Sequence, residues 1–287
     1  MKPAPFEYHR PVSLAETFDL LDRYGDDGRI LAGGQSLVPT LNMRLVTPGA
    51  VIDINRLPGL DSIRMTHEGL VIGALARHET LERSALVREH APLIAAAMPH
   101  VGHAAIRTRG TVGGSLALAD PAAELPACAV ALDATIGLTS RRGRRDVPAA
   151  DFFRGIYATA LEPGEIVTDL MVPRATGAWR SGFEELARRH GDFALAGLAA
   201  RARVERDVIA ETRLVFFGIG TQPVRARAAE AALTGGRASA DRVAAARHAL
   251  ENDVDPPGDI HATPALRRRL AGVLLTRVVS RLVEASA

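Results

Sequence analysis

The sequence predicts an α+β fold in two domains, residues 1–175 and 176–287, on three observations. Before Pro173, strand and helix patterns build two αβ units, about residues 1–57 and 58–175, each carrying a Gly-Gly turn. That texture stops near Pro173-Arg-Ala-Thr-Gly177. Beyond it, three strand-like runs precede three helical ones, the signature of a three-stranded sheet with helices behind it.

In the first unit, Ser13-Leu-Ala-Glu16 is a capping box, and Leu14, Phe18, Leu20 and Leu21 give the apolar face of a helix that stops near Gly25. Arg29–Ala32 reads as a short buried strand that delivers the first glycine turn. A helical pattern over Gln35–Leu45 follows, then a strand at Val51–Ile54 and a turn at Leu57-Pro-Gly59. The second unit starts near Leu60, with a strand at Leu70–Leu75 and a short helix at Glu79–Ser84. Pro92–Met98 is apolar enough for a buried helix, and Pro99 stops it. Thr111-Val-Gly-Gly-Ser115 comes next, and an apolar helix runs on through Cys128. Ala134–Ser140 alternates as a strand, Arg141-Arg-Gly-Arg-Arg145 reads as an exposed hairpin turn, and Glu165–Val172 as another strand.

In the second domain the strands are Phe183–Arg188, Leu198–Val204 and Arg213–Ile219. Helices follow at Val224–Leu233, Arg242–Leu250 and Ala265–Glu284, the last with Thr263 as N-cap and Pro264 at its first position.

A Gly-Gly pair lets backbone N–H groups approach a ligand with no Cβ in the way, and the hydroxyls of Thr111 and Ser115 add donors beside the second pair. The first pair, in Ala32-Gly33-Gly34-Gln35-Ser36, opens onto a helical pattern through Leu37, Leu41 and Leu45, whose unpaired N–H groups attract an anion. Two such turns can clamp one diphosphate; the bland alternative is a pair of tight turns. Neither is a P-loop, since no Gly-Lys-Ser/Thr follows, and neither has the third glycine of the dinucleotide fingerprint.

Composition narrows the function classes. A formal net charge of +2 gives no basis for a nucleic-acid partner, and no apolar run approaches the roughly 20 residues of a membrane span. Glu7, His9 and Pro11 stand where a signal peptide needs an apolar core, so a cytoplasmic location is expected. The one cysteine, Cys128, cannot form an intramolecular disulfide or supply the roughly four ligands of an iron–sulfur cluster. His78, His100 and His103 lack a zinc-like spacing, so no metal site is expected and they read as surface or turn residues.

Leu31–Leu45 (Leu-Ala-Gly-Gly-Gln-Ser-Leu-Val-Pro-Thr-Leu-Asn-Met-Arg-Leu) and Arg109–Pro126 closely resemble the FAD-binding subunit of molybdenum hydroxylases. That family includes the medium subunit of aerobic carbon monoxide dehydrogenase and the flavin portion of xanthine dehydrogenase. Glu162-Pro-Gly-Glu165-Ile166-Val167 and Arg188-Arg-His-Gly-Asp-Phe-Ala194 look like later family signatures in the same order, so the resemblance spans nearly the whole chain. It implies an FAD-binding domain of the vanillyl-alcohol-oxidase (PCMH) type in two subdomains, then a C-terminal domain with a three-stranded antiparallel sheet and helices. FAD would lie between the two αβ units.

The resemblance also implies which residues touch FAD. Leu31, Ala32, Gly33, Gly34, Gln35, Ser36 and Leu37 form the first contact stretch; Gly110, Thr111, Gly113, Gly114, Ser115 and Ala117 form the second. Ala76, His78, Val101, Gly102 and Ile106 would run past the flavin or adenine. Asp120 or Glu124 would grip a sugar hydroxyl, with Glu124 at the adenosine ribose, while helix capping ahead of Pro121 is the alternative for Asp120. Leu161, Ile166 and Val167 would meet the ring edge through main-chain groups of a strand edge. Asp192 and Phe193 would sit by the isoalloxazine, with ordinary core packing as the alternative for Phe193. Glu185 departs from the pattern, because many relatives carry a lysine there, so positive charge near the pyrimidine ring must come from elsewhere.

By the same resemblance the function is electron transfer. A large subunit would hydroxylate substrate at a molybdenum cofactor, a small subunit would relay electrons through iron–sulfur clusters, and FAD would pass them to an external acceptor. A dimer of heterotrimers is implied. A self-contained flavin oxidase or reductase of similar fold is the rival reading, and a nucleotide-binding module without redox chemistry is the third.

Overall fold

The computed structural model describes residues 2–206, 208–237 and 239–284, less the side chain of Glu284. Its first layer is a parallel sheet of β1 (Glu7–His9), β2 (Gly28–Leu31) and β3 (Ala50–Asp53) in the order β1-β3-β2, with α1 (Leu14–Tyr24) and α2 (Leu37–Asn42) in the connections. The Ser13 half of the capping box forms as expected, its Oγ accepting the Glu16 N–H at 3.2 Å, but Glu16 Oε2 accepts the Val12 N–H at 2.9 Å, one residue before the cap's own amide. Strand β1 escapes the sequence patterns because it is a three-residue polar edge strand, whereas the central β3 is buried throughout. Helix α2 is shorter than Gln35–Leu45 at both ends, since Gly34 and Arg44 both take positive φ.

The second layer is a five-stranded antiparallel sheet. It is built from β4 (Ile63–Met65), β5 (Gly69–Gly73), β6 (Thr135–Ser140), β7 (Gly143–Pro148) and, after a small β8 (Phe153–Gly155) and β9 (Ala158–Thr159) hairpin, β10 (Ile166–Pro173). The order β4-β5-β10-β6-β7 puts β10 at the centre. Helices α3 (His78–Arg83), α4 (Ala85–His90), α5 (Pro92–Ala97), α6 (Ala104–Arg107), α7 (Val112–Leu118) and α8 (Glu124–Ala131) fill the β5–β6 connection, and α9 (Ala149–Phe152) follows β7. Where one helix through Cys128 is expected there are two, parted by left-handed Ala119 and the turn at Asp120-Pro121. Of the expected hairpin turn only Arg141 and Arg142 lie outside strand, because Gly143–Arg145 already pairs with Leu138–Ser140.

The C-terminal sheet has strands β11 (Trp179–Ala187), β12 (Ala194–Glu205), β13 (Val208–Phe217) and β14 (Val224–Arg225), antiparallel in that order. Two residues that read as helix, Val224 and Arg225, instead pair with Phe216 and Val215 as a short fourth strand. Helix α10 (Arg227–Leu233) begins after it, followed by α11 (Ala240–Ala249) and α12 (Pro264–Glu284), whose Thr263 hydroxyl caps the Leu266 N–H at 3.2 Å. Period-two alternation splits the sheet's side chains between two cores. Ala196, Leu198, Ala200, Leu214 and Phe216 pack with α10 to α12, while Ala199, Val215 and Phe217 join the core of the five-stranded layer. Helix α8, buried from Leu125 onward, packs on the C-terminal sheet at β12 and β13 and is flanked by α5, α7 and α9.

Candidate functional site

The two glycine turns meet. A Cβ placed on Gly33 would fall 2.5 Å from the Arg109 carbonyl oxygen and 2.9 Å from Gly110 Cα, so only glycine fits where the turn after β2 abuts the stretch leading into α7. Gly34 takes φ +73°, which turns the chain into α2. Among the described residues, no protein group accepts the N–H of Gly33, Gly34, Gln35 or Ser36. These four amides form one end of the site.

The second turn works differently from the expectation. Gly113 N–H donates to Ala74 O at 2.7 Å, Val112 N–H to Ala76 O at 3.1 Å, and Gly114 N–H to the Thr111 hydroxyl at 3.1 Å. The Val112 and Gly113 amides tie α7 to the segment after β5, and the Gly114 amide is taken by the cap of α7 itself, so none of the three is free for an anion. Of the two turns expected to clamp one diphosphate, the first brings the open donors and the second brings close approach. Gly114 and Ala117 lie on the open face of α7, Ser115 is half-buried, and Gly113 and Leu116 face the core.

His78 is not a surface residue. It is 5% exposed, its backbone N–H holds Gly110 O at 3.0 Å, and neither ring nitrogen has a partner. Burial drives its pKa down to about 4, so the imidazole is neutral at pH 7. Between about pH 6.5 and 4 the unfolded chain binds a proton that the native ring refuses, so stability falls as pH falls through that window. From pH 7 to 5 this one residue should account for about 2 kcal/mol of lost stability, and urea titrations of His78→Gln should show a shallower loss.

Three further segments carry the remaining expected contacts. Gly191, just before Asp192-Phe193, packs so closely on His103 that a Cβ would lie 2.6 Å from the ring, while Gly102 packs on the exposed Ile106. Phe193 is 72% exposed, which removes the core-packing alternative and leaves an aromatic face open. Asp120 does not cap α8, since Ala123 is the N-cap; its Oδ1 closes a turn by accepting the Ala122 N–H at 2.9 Å, and its Oδ2 lies 3.4 Å from the Tyr157 hydroxyl. Tyr157 is exposed and holds a left-handed φ of +52°, a combination that sequence patterns do not reveal.

Glu124 stands in the first turn of α8. Burial, then the Glu185 charge, raises its pKa to about 8, so its carboxyl is largely protonated at pH 7 and can donate as well as accept. Glu185 is itself buried, with Oε1 3.5 Å from His100 Nδ1 and Oε2 without a partner. That contact raises the His100 pKa despite partial burial.

Leu161 precedes β10, and Ile166 and Val167 begin it. The Ile166 side chain lies in the core with Leu57 and Leu75, and β10 is interior, not a sheet edge as the expectation required. Ile166 and Val167 pair with Thr139 and Leu138, while pairing on the β5 side ends at Thr168. Only on that second side do their main-chain groups remain open. Leu31 and Leu37 flank the first turn half-buried, Ala32 offers its carbonyl to Asn55 at 2.8 Å, and Ala76 is buried behind His78.

Residues 4–175 match the family described as FAD binding domain in molybdopterin dehydrogenase, and residues 181–282 match the CO dehydrogenase flavoprotein C-terminal domain. The chain is 36% identical over 282 residues to the 6-hydroxypseudooxynicotine dehydrogenase complex subunit alpha of Paenarthrobacter nicotinovorans, covering 98% of this chain and 95% of that one. To the caffeine dehydrogenase subunit beta of Pseudomonas sp. (strain CBB1) it is 37% identical, covering 99% and 97%. A chain in the structure of Hydrogenophaga pseudoflava carbon monoxide dehydrogenase lacking the Mo-pyranopterin moiety superposes with a TM-score of 0.96 at 36% identity, over 99% of both chains.

Proposed function

The chain belongs to the family of FAD-binding medium subunits of molybdopterin dehydrogenases, and on that premise we propose that it binds FAD and carries electrons inside a multi-subunit molybdenum hydroxylase. The observation that carries the reading is the abutment of Gly33 on Arg109-Gly110, which joins four open amides to the approach of α7 in one cleft. An isolated pair of tight turns would have no reason to meet there. The residues fit the cofactor: a cradle that a Cβ would fill, an orphaned buried imidazole at His78, and an uncovered aromatic at Phe193.

Bound FAD supplies a store for one or two electrons, and the protein supplies binding, orientation and tuning. The amides of Gly33 to Ser36 would hold the diphosphate, with Thr111 and Ser115 beside them. Asp120 and the largely protonated Glu124 would bond sugar hydroxyls, and exposed Phe193 would offer its face to the isoalloxazine. Glu185, where many relatives carry a lysine, lies against His100 and raises its pKa, so His100 would be the basic group on offer there. With its one cysteine buried, the chain leaves iron–sulfur clusters to a small partner subunit and molybdenum chemistry to a large one, in a dimer of heterotrimers. The electrons then leave to an external acceptor.

Purification of the complex from its native source, with metal and flavin analysis, tests this. The chain should co-elute with a large molybdenum-containing subunit and a cysteine-rich small one, with FAD. Recovery of the chain alone, its flavin bleached directly by a reducing substrate, would instead support the self-contained oxidase.

A further inference from the structure

Behind the glycine turns, one hydrogen-bonded chain joins the parallel sheet to the five-stranded layer. Asn55 Nδ2 donates to Ala32 O at 2.8 Å and to Asp53 Oδ1 at 2.5 Å, while Asn55 Oδ1 accepts from Arg77 Nη2 at 2.5 Å. Arg77 Nη1 donates to Arg109 O. Asp53 is buried at the end of β3, and its second oxygen accepts the Tyr8 hydroxyl and lies 3.5 Å from Arg10 Nε. The path therefore runs from the carbonyl that begins the first glycine turn to the carbonyl against which Gly33 packs.

We infer that Asn55 and Arg77 form a latch that sets the spacing and the peptide orientation of the two glycine turns, and so the affinity for the dinucleotide's diphosphate. The inference rests on the FAD reading above. Its physical basis is peptide planarity: in a trans peptide, C=O and the next N–H point to opposite sides. Holding Ala32 O toward Asn55 therefore aims the Gly33 N–H away from Asn55, and no partner among the described residues meets it. The Arg77 guanidinium holds Arg109 O, the atom a Cβ on Gly33 would strike. Arg77 bridges Asn55 and Arg109, and its planar fork reaches two acceptors at once, a geometry that lysine cannot reproduce. Neither residue has to touch the ligand; both are positioning residues.

The test is a double-mutant cycle on the purified full chain, reading the FAD Kd by flavin fluorescence and the apo melting temperature. Arg77→Met and Asn55→Ala should each weaken FAD binding by about 10- to 100-fold, as expected for a lost hydrogen bond to a charged group. The double variant should be no weaker than the worse single, because both remove one path. Arg77→Lys, which can serve only one acceptor, should fall between Arg77→Met and the wild type while keeping the wild-type melting temperature, so a loss of affinity there is not a loss of fold. Wild-type affinity in all the variants, or losses that multiply in the double, would overturn the latch. Failure of the diphosphate reading shows separately: Gly33→Val would then bind FAD as the wild type does, whatever the latch variants do.

Discussion

Gly33→Val should yield a folded chain that has lost its flavin. The new Cβ would stand 2.5 Å from Arg109 O and 2.9 Å from Gly110 Cα, far inside van der Waals contact, and both are backbone atoms that cannot rotate aside. Arg109 O is held by Arg77, and the Gly110 carbonyl by the His78 amide, so relief requires moving the first turn as a unit. Moving it separates the open amides from the face of α7. An ångström of displacement is enough to remove most of the strength of charge-assisted hydrogen bonds, so we expect FAD affinity to fall by at least about 100-fold. Gly33 lies outside all three apolar cores, so the far-ultraviolet circular dichroism should stay near that of the wild type. The ratio of flavin to protein absorbance in the purified variant, beside that spectrum, checks both halves. Gly114→Ala should act in the same direction more mildly, since its Cβ would meet only the Thr111 hydroxyl, at 2.8 Å.

Gly197→Ala is the stability counterpart and should be among the most damaging single-methyl additions in the chain. Gly197 pairs with Phe217 across β12 and β13, and the Phe217 ring lies over it so that a Cβ would sit 2.0 Å from Cζ. The ring is fully buried and stacked on Phe183 at 5.6 Å between centroids, so it has nowhere to swing. Overpacking costs about 1–3 kcal/mol where neighbours can give, and here the upper end or more is expected. Because this core joins the C-terminal sheet to the five-stranded layer, FAD retention should fall with it. A smaller ring-side residue should relieve the clash: Gly197→Ala with Phe217→Leu should unfold at higher urea than Gly197→Ala alone. That sign of coupling is what contact between the two positions demands.

Much of the fold was legible because local signals agreed with the tertiary outcome. Ser13 caps α1, Thr263 caps the last helix, and the apolar runs expected as strands from Val51 and from Leu198 become largely buried strands. The misses share a cause. Strand β1, the two-residue β14 and the turn at Asp120-Pro121 owe their form to partners distant in sequence, which no periodicity records. In the site, the glycine pairs announced a close backbone approach, yet which amides stay open was hidden: Gly113 looks like Gly33 in sequence, but its N–H is taken by Ala74. His78 offered no pattern at all, and its burial follows from Gly110 folding over it. Asn55 and Arg77 were equally silent, because a latch is a pair of side chains 22 residues apart. Glu185 was legible as a departure, but its contact with His100 was not.

The most direct measurement is a structure of the chain with FAD, in its complex, at a resolution that separates the phosphates. The account predicts the diphosphate within hydrogen-bonding distance of the Gly33 to Ser36 amides, with α7 alongside. A diphosphate bound away from both glycine turns, or turns that have moved apart with FAD in place, would contradict it.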